Sequence, residues 1–132
     1  MTFKQITSDA ITSLEAKDLE SVVELDAIDH PTSIFVGRGS LALLASRTRG
    51  TVLVVGSRGS LQRTGFHDFV QSQSNWHIFD GVVPNPTPEV IGTAAILAKE
   101  VAAETIVGIG GGSSLDAARC VALMHGDVTC VV

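Results

Sequence analysis

The stretch IVGIGGGSSLDAAR (residues 106–119) places four glycines between an apolar run and the start of a helix. A glycine inside a strand or helix destabilises it by about 0.5–1 kcal/mol relative to alanine, so the cluster indicates a role beyond local stability. A turn without Cβ atoms lets backbone N–H groups approach a diphosphate, and the following helix N-terminus adds partial positive charge. The stretch predicts a strand, a phosphate-binding turn and a helix. A tight turn that only packs strand against helix is the alternative.

The pattern differs from two common phosphate-binding motifs. The third glycine of GxGxxG is displaced, and no GK[ST] follows as it does in a P-loop. Two other glycine and serine turns follow apolar runs, GRGS (37–40) and GSRGS (56–60). Ligands of parallel sheets bind beyond the carboxyl ends of the strands, which is where these turns are expected.

Strand-like and helix-like segments alternate along the chain. TVLVVG is apolar enough to be buried on both faces of a parallel sheet. Thr87-Pro88-Glu89 predicts a helix start, with a hydroxyl at the N-cap, proline at the first position and an acid in the first turn. The alternation predicts an α/β fold with a doubly wound, mostly parallel sheet. The predicted strands are SIFVG (33–37), TVLVVG (51–56), a short one in NWHIFDGVVPNPTPEV (75–90), TIVGIG (105–110) and DVTCVV (127–132), and the predicted helices are 8–25, 40–50 with Ser40 as its cap, 61–71, 87–101 and 113–124.

The length and composition exclude several classes of protein. The 132 residues are 45% hydrophobic with a net charge of −5, typical of a soluble globular protein. We expect a helical extension over 1–28 and a dinucleotide-binding α/β domain over 29–132. The chain lacks the basic stripe and stacking aromatics of a nucleic-acid binder. It also lacks an 18-residue apolar run and a signal segment, which favours the cytoplasm and argues against a membrane.

The cysteines and histidines give no catalytic or metal-binding pattern. Cys120 and Cys130 have apolar neighbours and are predicted to be buried thiols in a reducing compartment, with a disulfide as the alternative. The four histidines show no metal-ligand spacing and are interpreted as surface or core residues. No catalytic residue and no metal ligand is therefore predicted within this chain.

The turn after the second apolar run, Ser57-Arg58-Gly59-Ser60, is a candidate for cofactor selection. An acid at such a turn holds the adenosine ribose diol, whereas an arginine accommodates a 2′-phosphate. The turn contains no acid. The Arg58 guanidinium and the two hydroxyls can grip phosphate, and a solvated surface arginine is the alternative.

Ser113 and Asp116 stand three residues apart, the spacing of a capping box with Asp in place of Glu. Helix capping therefore competes with a ligand-binding role for Asp116. Either interpretation places both residues in the first turn of the helix that follows the glycines.

Four motifs occur in an order that resembles the N-terminal half of iron-containing (group III) alcohol dehydrogenases. They are SIFVGRGSL, TVLVVGSRGSLQRTG, DGVVPNPTPEV and IVGIGGGSSLDAAR, covering roughly 31–124. The resemblance implies a two-domain NAD(P)-dependent oxidoreductase whose N-terminal, Rossmann-like α/β domain binds the cofactor.

The resemblance also implies roles for particular residues. The GGGS turn would cradle the pyrophosphate, and Asn85 would line the adenosine side of the cleft. NAD-preferring relatives carry an aspartate where Arg58 aligns, so GSRGS favours NADP over NAD. The position after DAA is a lysine in the usual pattern and is Arg119 here. The implied cofactor-binding set is Ser57, Arg58, Gly59, Ser60, Asn85, Gly110, Gly111, Gly112, Ser113 and Asp116.

The reaction implied by the resemblance is hydride transfer between the nicotinamide and a small alcohol or aldehyde. A divalent metal, Fe or Zn, would act as a Lewis acid and would be held by a C-terminal helical domain. That domain does not follow within these residues, so we expect a fragment or truncated product with little turnover of its own. A stand-alone nucleotide-binding module and an inactive remnant are the alternatives, and the family relationship allows a homo-oligomer.

Overall fold

The computed structural model describes residues 23–26, 33–126 and 128–131. The chain divides into two compact units, Met1–Arg47 and Thr48–Val132. This division falls after residue 47, and the domain boundary expected after residue 28 stays a prediction.

The first unit contains a small antiparallel pair. Strand β1 (Val23–Asp26) pairs with β2 (Ser33–Val36). The helix predicted over 8–25 lies mostly outside the described residues, but its end was wrong because 23–25 form backbone pairs with β2.

The helix predicted over 40–50 is shorter than expected. A 3-10 turn (Ser40–Leu43) leads into the single-turn helix α1 (Leu44–Arg47). Ser40 is thus the first residue of the turn rather than the cap of an α-helix. The Ala42 N–H donates to the Gly39 carbonyl, the i to i+3 bond of a 3-10 turn.

The second unit is built on a parallel sheet of four strands, which confirms the predicted α/β fold. Every pair of neighbouring strands is parallel, and every residue of β3 is buried, as expected for a strand covered on both faces. The spatial order is β4-β3-β5-β6. The strands are β3 (Val52–Gly56), β4 (Trp76–Phe79), β5 (Thr105–Ile109) and β6 (Thr129–Val131), and the helices are α2 (Arg58–Arg63), α3 (Phe66–Gln71), α4 (Pro88–Glu100) and α5 (Gly112–His125).

The single helix predicted over 61–71 is two short helices. α2 starts three residues earlier than predicted and ends at Arg63, and α3 starts at Phe66. Gly65, between them, has φ +69, a left-handed conformation that interrupts a right-handed helix. The chain therefore bends at this glycine before it enters β4.

Helix α4 begins as its sequence predicts. The Thr87 side chain accepts a hydrogen bond from the Val90 N–H, and Pro88 is the first helical residue. Backbone and Thr87 hydrogen bonds lower the pKa of Glu89, so this acid is charged next to the positive end of the helix. Ala94 is buried, and Leu97 packs against the core as the helical spacing predicts.

A Thr87→Ala variant is expected to lose about 1 kcal/mol of unfolding free energy because an N–H group of α4 loses its acceptor. Chemical denaturation followed by circular dichroism measures this. Thr93→Ala is the matched control, because Thr93 lies exposed within the same helix and donates only to the Glu89 carbonyl. Equal losses in the two variants would contradict the cap.

The cysteine prediction was wrong about burial. Cys120 and Cys130 are both exposed and both free thiols. Cys120 lies on α5, whose buried side includes Ala117, Ala118 and Val121, and Cys130 lies in β6, one of the two edge strands of the parallel sheet. Desolvation raises the pKa of the Cys130 thiol, and the charge of Arg119 opposes that rise.

In the described ranges, no helix combines the length and apolar character needed to cross a membrane.

Candidate functional site: three turns at the carboxyl edge of the sheet

Three loops follow β3, β4 and β5 at the same edge of the sheet, because parallel strands end on one side. The turn after β3 and the turn after β5 touch: a Cβ built on Gly110 would lie 3.1 Å from Ser60 Oγ. The loop after β4 joins them through a backbone hydrogen bond from Asn85 N–H to Ser113 Oγ, 3.3 Å long. The structure therefore brings together two of the three glycine and serine turns that the sequence singled out, with the loop that carries Asn85. The third turn, GRGS (37–40), was wrongly expected at the end of a parallel strand, because it follows β2 of the antiparallel pair.

The glycines of the β5–α5 turn have different reasons for lacking a side chain. Gly110 has φ +136, and a Cβ there would lie 2.8 Å from Ser114 Oγ, so the fold itself requires glycine. Gly111 has ordinary extended backbone, φ −82 and ψ −171. A Cβ on Gly111 or Gly112 would meet no atom within 4 Å. Gly111 and Gly112 thus lack a side chain although packing would allow one at either position.

The N-terminus of α5 offers hydrogen-bond donors at this open surface. The N–H groups of Ser114 and Leu115 donate to the Gly111 carbonyl, at 3.0 and 3.1 Å. The N–H groups of Gly112 and Ser113 have no acceptor among the described residues. Unpaired N–H groups at the positive end of a 14-residue helix suit an anion.

Asn85 is held in a left-handed conformation, with φ +51, between two prolines. Asparagine tolerates this conformation better than most residues. Its N–H reaches Ser113, so Asn85 lies beside the glycine turn. The family resemblance implies that Asn85 and Ser113 share one cofactor site; the structure puts the two residues in contact, and their role in binding a cofactor stays a prediction.

The capping-box interpretation of Ser113 and Asp116 was wrong. α5 begins at Gly112 with Gly111 as N-cap, so Ser113 lies inside the helix and caps nothing. Asp116 Oδ1 instead accepts a hydrogen bond from Arg119 Nη1 at 3.1 Å. Both side chains of this pair are exposed, one helical turn away from the glycines.

Ser57 and Ser60 stabilise their own turn. Ser57 is the N-cap of α2, accepts from the Ser60 N–H at 3.2 Å and donates to Ser60 Oγ at 2.9 Å. Ser60 Oγ also accepts from Arg63 Nη2 at 3.3 Å. At Gly59 a Cβ would lie 3.0 Å from Arg63 Nη1, so this side chain lies over the turn. The Ser57 hydroxyl hydrogen is therefore taken within the turn, whereas no described residue accepts the hydrogen of the Ser60 hydroxyl.

Arg58 has a partner that sequence reasoning missed. Its Nε donates to Asp80 Oδ2 at 2.9 Å, and this hydrogen bond, reinforced by the opposite charge, raises the pKa of Arg58. The Arg58 and Asp80 side chains are 73% and 32% exposed, so Arg58 is a surface arginine with one ion pair, and the alternative of a solvated surface arginine stays open. Asp80 directly follows β4, the neighbour of β3, and that strand adjacency is the signal that would have found it.

The divalent metal implied by the family resemblance needs several ligating side chains close together. Among the residues that the structure describes, no three His, Cys, Asp or Glu side chains come together as a metal site. The side chains of the described residues therefore do not fit the divalent ion.

Comparison with known proteins identifies the family. The profile of the family described as iron-containing alcohol dehydrogenase matches residues 31–131. The long-chain primary alcohol dehydrogenase AdhA of Thermoanaerobacter ethanolicus is 34% identical over 64% of this chain and 22% of its own length. The NADPH-dependent butanol dehydrogenase of Clostridium saccharobutylicum is 30% identical over 72% of this chain and 26% of its own.

A solved structure supports the same relationship. The crystal structure of NADH-dependent butanol dehydrogenase A from Thermotoga maritima superposes with a TM-score of 0.60 at 29% identity, over 80% of this chain and 30% of that one. The chain thus spans about a quarter of the length of the curated relatives it matches. Because the family profile covers most of the residues and the parallel sheet agrees, the chain belongs to the iron-containing alcohol dehydrogenase family.

Proposed function

We propose that this chain is the NAD(P)-binding part of a metal-dependent alcohol dehydrogenase or aldehyde reductase. The cofactor's pyrophosphate would lie on the turn of residues 110–113, and its adenosine half would extend over the turn of residues 57–60. Asn85, from the loop after β4, would line the adenosine side.

The openness of Gly111 and Gly112 carries this proposal. Neither position needs glycine for its backbone or its packing, since a Cβ there would enter open space. An anion that approaches the backbone closely does need it, because a methyl group would hold the phosphate oxygens away from the N–H groups. The two unpaired N–H groups beside them would then be the donors to the pyrophosphate.

The residues of this chain would bind and orient the cofactor rather than react with it. Gly110 fixes the entry to α5, and Ser113 ties the turn to the loop that carries Asn85. When bound, the nicotinamide supplies the hydride chemistry that interconverts a small alcohol and its aldehyde. Positioning of this kind is what a dinucleotide domain contributes to catalysis.

We propose a preference for NADP over NAD, based on Arg58. Asp80 takes its Nε hydrogen, and no described residue accepts from the two terminal amino groups. These amino groups can form a bidentate contact with a 2′-phosphate. The Asp80 charge weakens the attraction, so we expect a modest preference rather than an exclusive one.

Titration of the chain with NADPH, followed by the fluorescence of the reduced nicotinamide, tests the proposal. We expect a saturable signal, and competition by free ADP because the pyrophosphate half carries most of the contacts. A stand-alone binding module would give the same binding and no turnover, even with iron or zinc added. A fluorescence signal that rises linearly with the concentration of NADPH and of NADH, without saturation, would mean that the chain does not bind the dinucleotide.

A further inference from the structure

An acidic side chain reaches the cofactor-selecting turn from a different strand. The turn itself, residues 57–60, contains no acid. Asp80, which follows β4, places its carboxylate 2.9 Å from Arg58 Nε within that turn. Arg58 is a cation that suits a 2′-phosphate, and Asp80 is an anion that suits a ribose diol. The two residues are 22 positions apart in the sequence.

Backbone contacts hold Asp80 next to the turn of residues 57–60. Phe79, the residue before Asp80, is in register with Val55 of β3. Directly after Asp80, Gly81 forms an antiparallel bridge with Ser57, and the Val82 N–H donates to the Gly56 carbonyl at 3.2 Å. Backbone contacts on both sides of Asp80 thus hold it against the turn, and the ion pair does not depend on side-chain reach alone.

We propose that Asp80 is a specificity-determining residue that limits the NADP preference of Arg58 and supports binding of NAD. The inference rests on the proposed function, since it assigns the adenosine ribose to this turn. The Asp80 carboxylate accepts from Arg58 through one oxygen, Oδ2. Its second oxygen is an acceptor for a 2′-hydroxyl, and its charge repels a 2′-phosphate at the same place.

The two members of the pair act on the two cofactors in opposite directions. With NADPH, the Arg58 amino groups meet the added phosphate while the Asp80 charge opposes it. With NADH, the diol offers hydroxyl donors, which only the carboxylate can accept, because a guanidinium has no acceptor. Both side chains are solvent-accessible, so either can turn toward a ligand without the cost of uncovering a buried group.

The test compares NADPH and NADH affinities of the wild-type chain and an Asp80→Asn variant. Asn keeps the size of the side chain and removes its charge. We expect the ratio of NADPH to NADH affinity to rise roughly tenfold, through tighter NADPH and weaker NADH binding. Asp80→Glu should restore most of the wild-type ratio, because it restores the charge at nearly the same place. The shift should shrink in high salt, since the groups are exposed.

Asp68→Asn is the matched control. Asp68 is an exposed acid on α3, and its described ion-pair partner is His67. The Asp68→Asn variant changes the net charge by the same amount as Asp80→Asn and should leave the ratio of NADPH to NADH affinity unchanged. A ratio in Asp80→Asn that stays constant, or that falls toward NADH, would overturn the role of Asp80. Wild-type chain that binds neither nucleotide would instead contradict the proposed function.

Discussion

An Arg58→Asp variant is expected to lose NADPH affinity by roughly 10- to 150-fold while it keeps or improves its affinity for NADH. The lost contact is a charge-assisted hydrogen bond, worth about 1.5–3 kcal/mol, and each 1.4 kcal/mol is a factor of ten. The new carboxylate would also stand beside Asp80, so two negative charges would face the 2′-phosphate. Titration of both reduced cofactors into both proteins measures the change.

The Arg58→Asp variant should fold normally. Arg58 is largely exposed and is the first residue of α2, where an acid interacts favourably with the helix dipole. Lys99→Asp is the matched control for charge, because Lys99 lies in the last turn of α4, which leads back to the opposite edge of the sheet. An Arg58→Asp protein with an unchanged preference for NADPH would refute the role given to this turn.

A Gly112→Ala variant is expected to bind NADPH and NADH about 5- to 150-fold more weakly and yet be slightly more stable. A methyl group forced into a close contact costs about 1–3 kcal/mol, here only when the nucleotide is bound. In the free protein the methyl meets open space and Gly112 is already helical, so the reduced freedom of the unfolded chain stabilises by about 0.4–1 kcal/mol. Thermal unfolding and cofactor titration measure the two effects.

Gly110→Ala separates the two explanations of the glycine cluster. Its positive φ and the closeness of Ser114 predict a loss of stability of about 1–3 kcal/mol, independent of cofactor. If Gly112→Ala also loses stability and binds NADPH like the wild type, the cluster serves packing alone. The combination of a stabilised protein and a weakened site is specific to a ligand that approaches the backbone.

Local patterns in the sequence predict most of the second unit. β3 and β5 are near-continuous apolar runs, and Thr87-Pro88 carries the chemistry of a helix start, so neighbouring residues alone specify these elements. The two errors in this unit both concern where helices begin and end. Gly65 adopts φ +69 and divides a helix that apolar spacing made continuous, and α5 begins before the serine that resembles a cap.

The residues 110–113 and 57–60 could be named from the sequence because glycine, serine and arginine in turns after apolar strands have a physical meaning by themselves. The contacts between these turns and with the loop after β4 could not be predicted from the sequence. The contacts of Gly110 with Ser60, of Asn85 with Ser113 and of Arg58 with Asp80 join separate loops. They exist because β4, β3 and β5 are neighbours in a parallel sheet and end at one edge, and strand order is decided by packing of the whole domain rather than by local sequence.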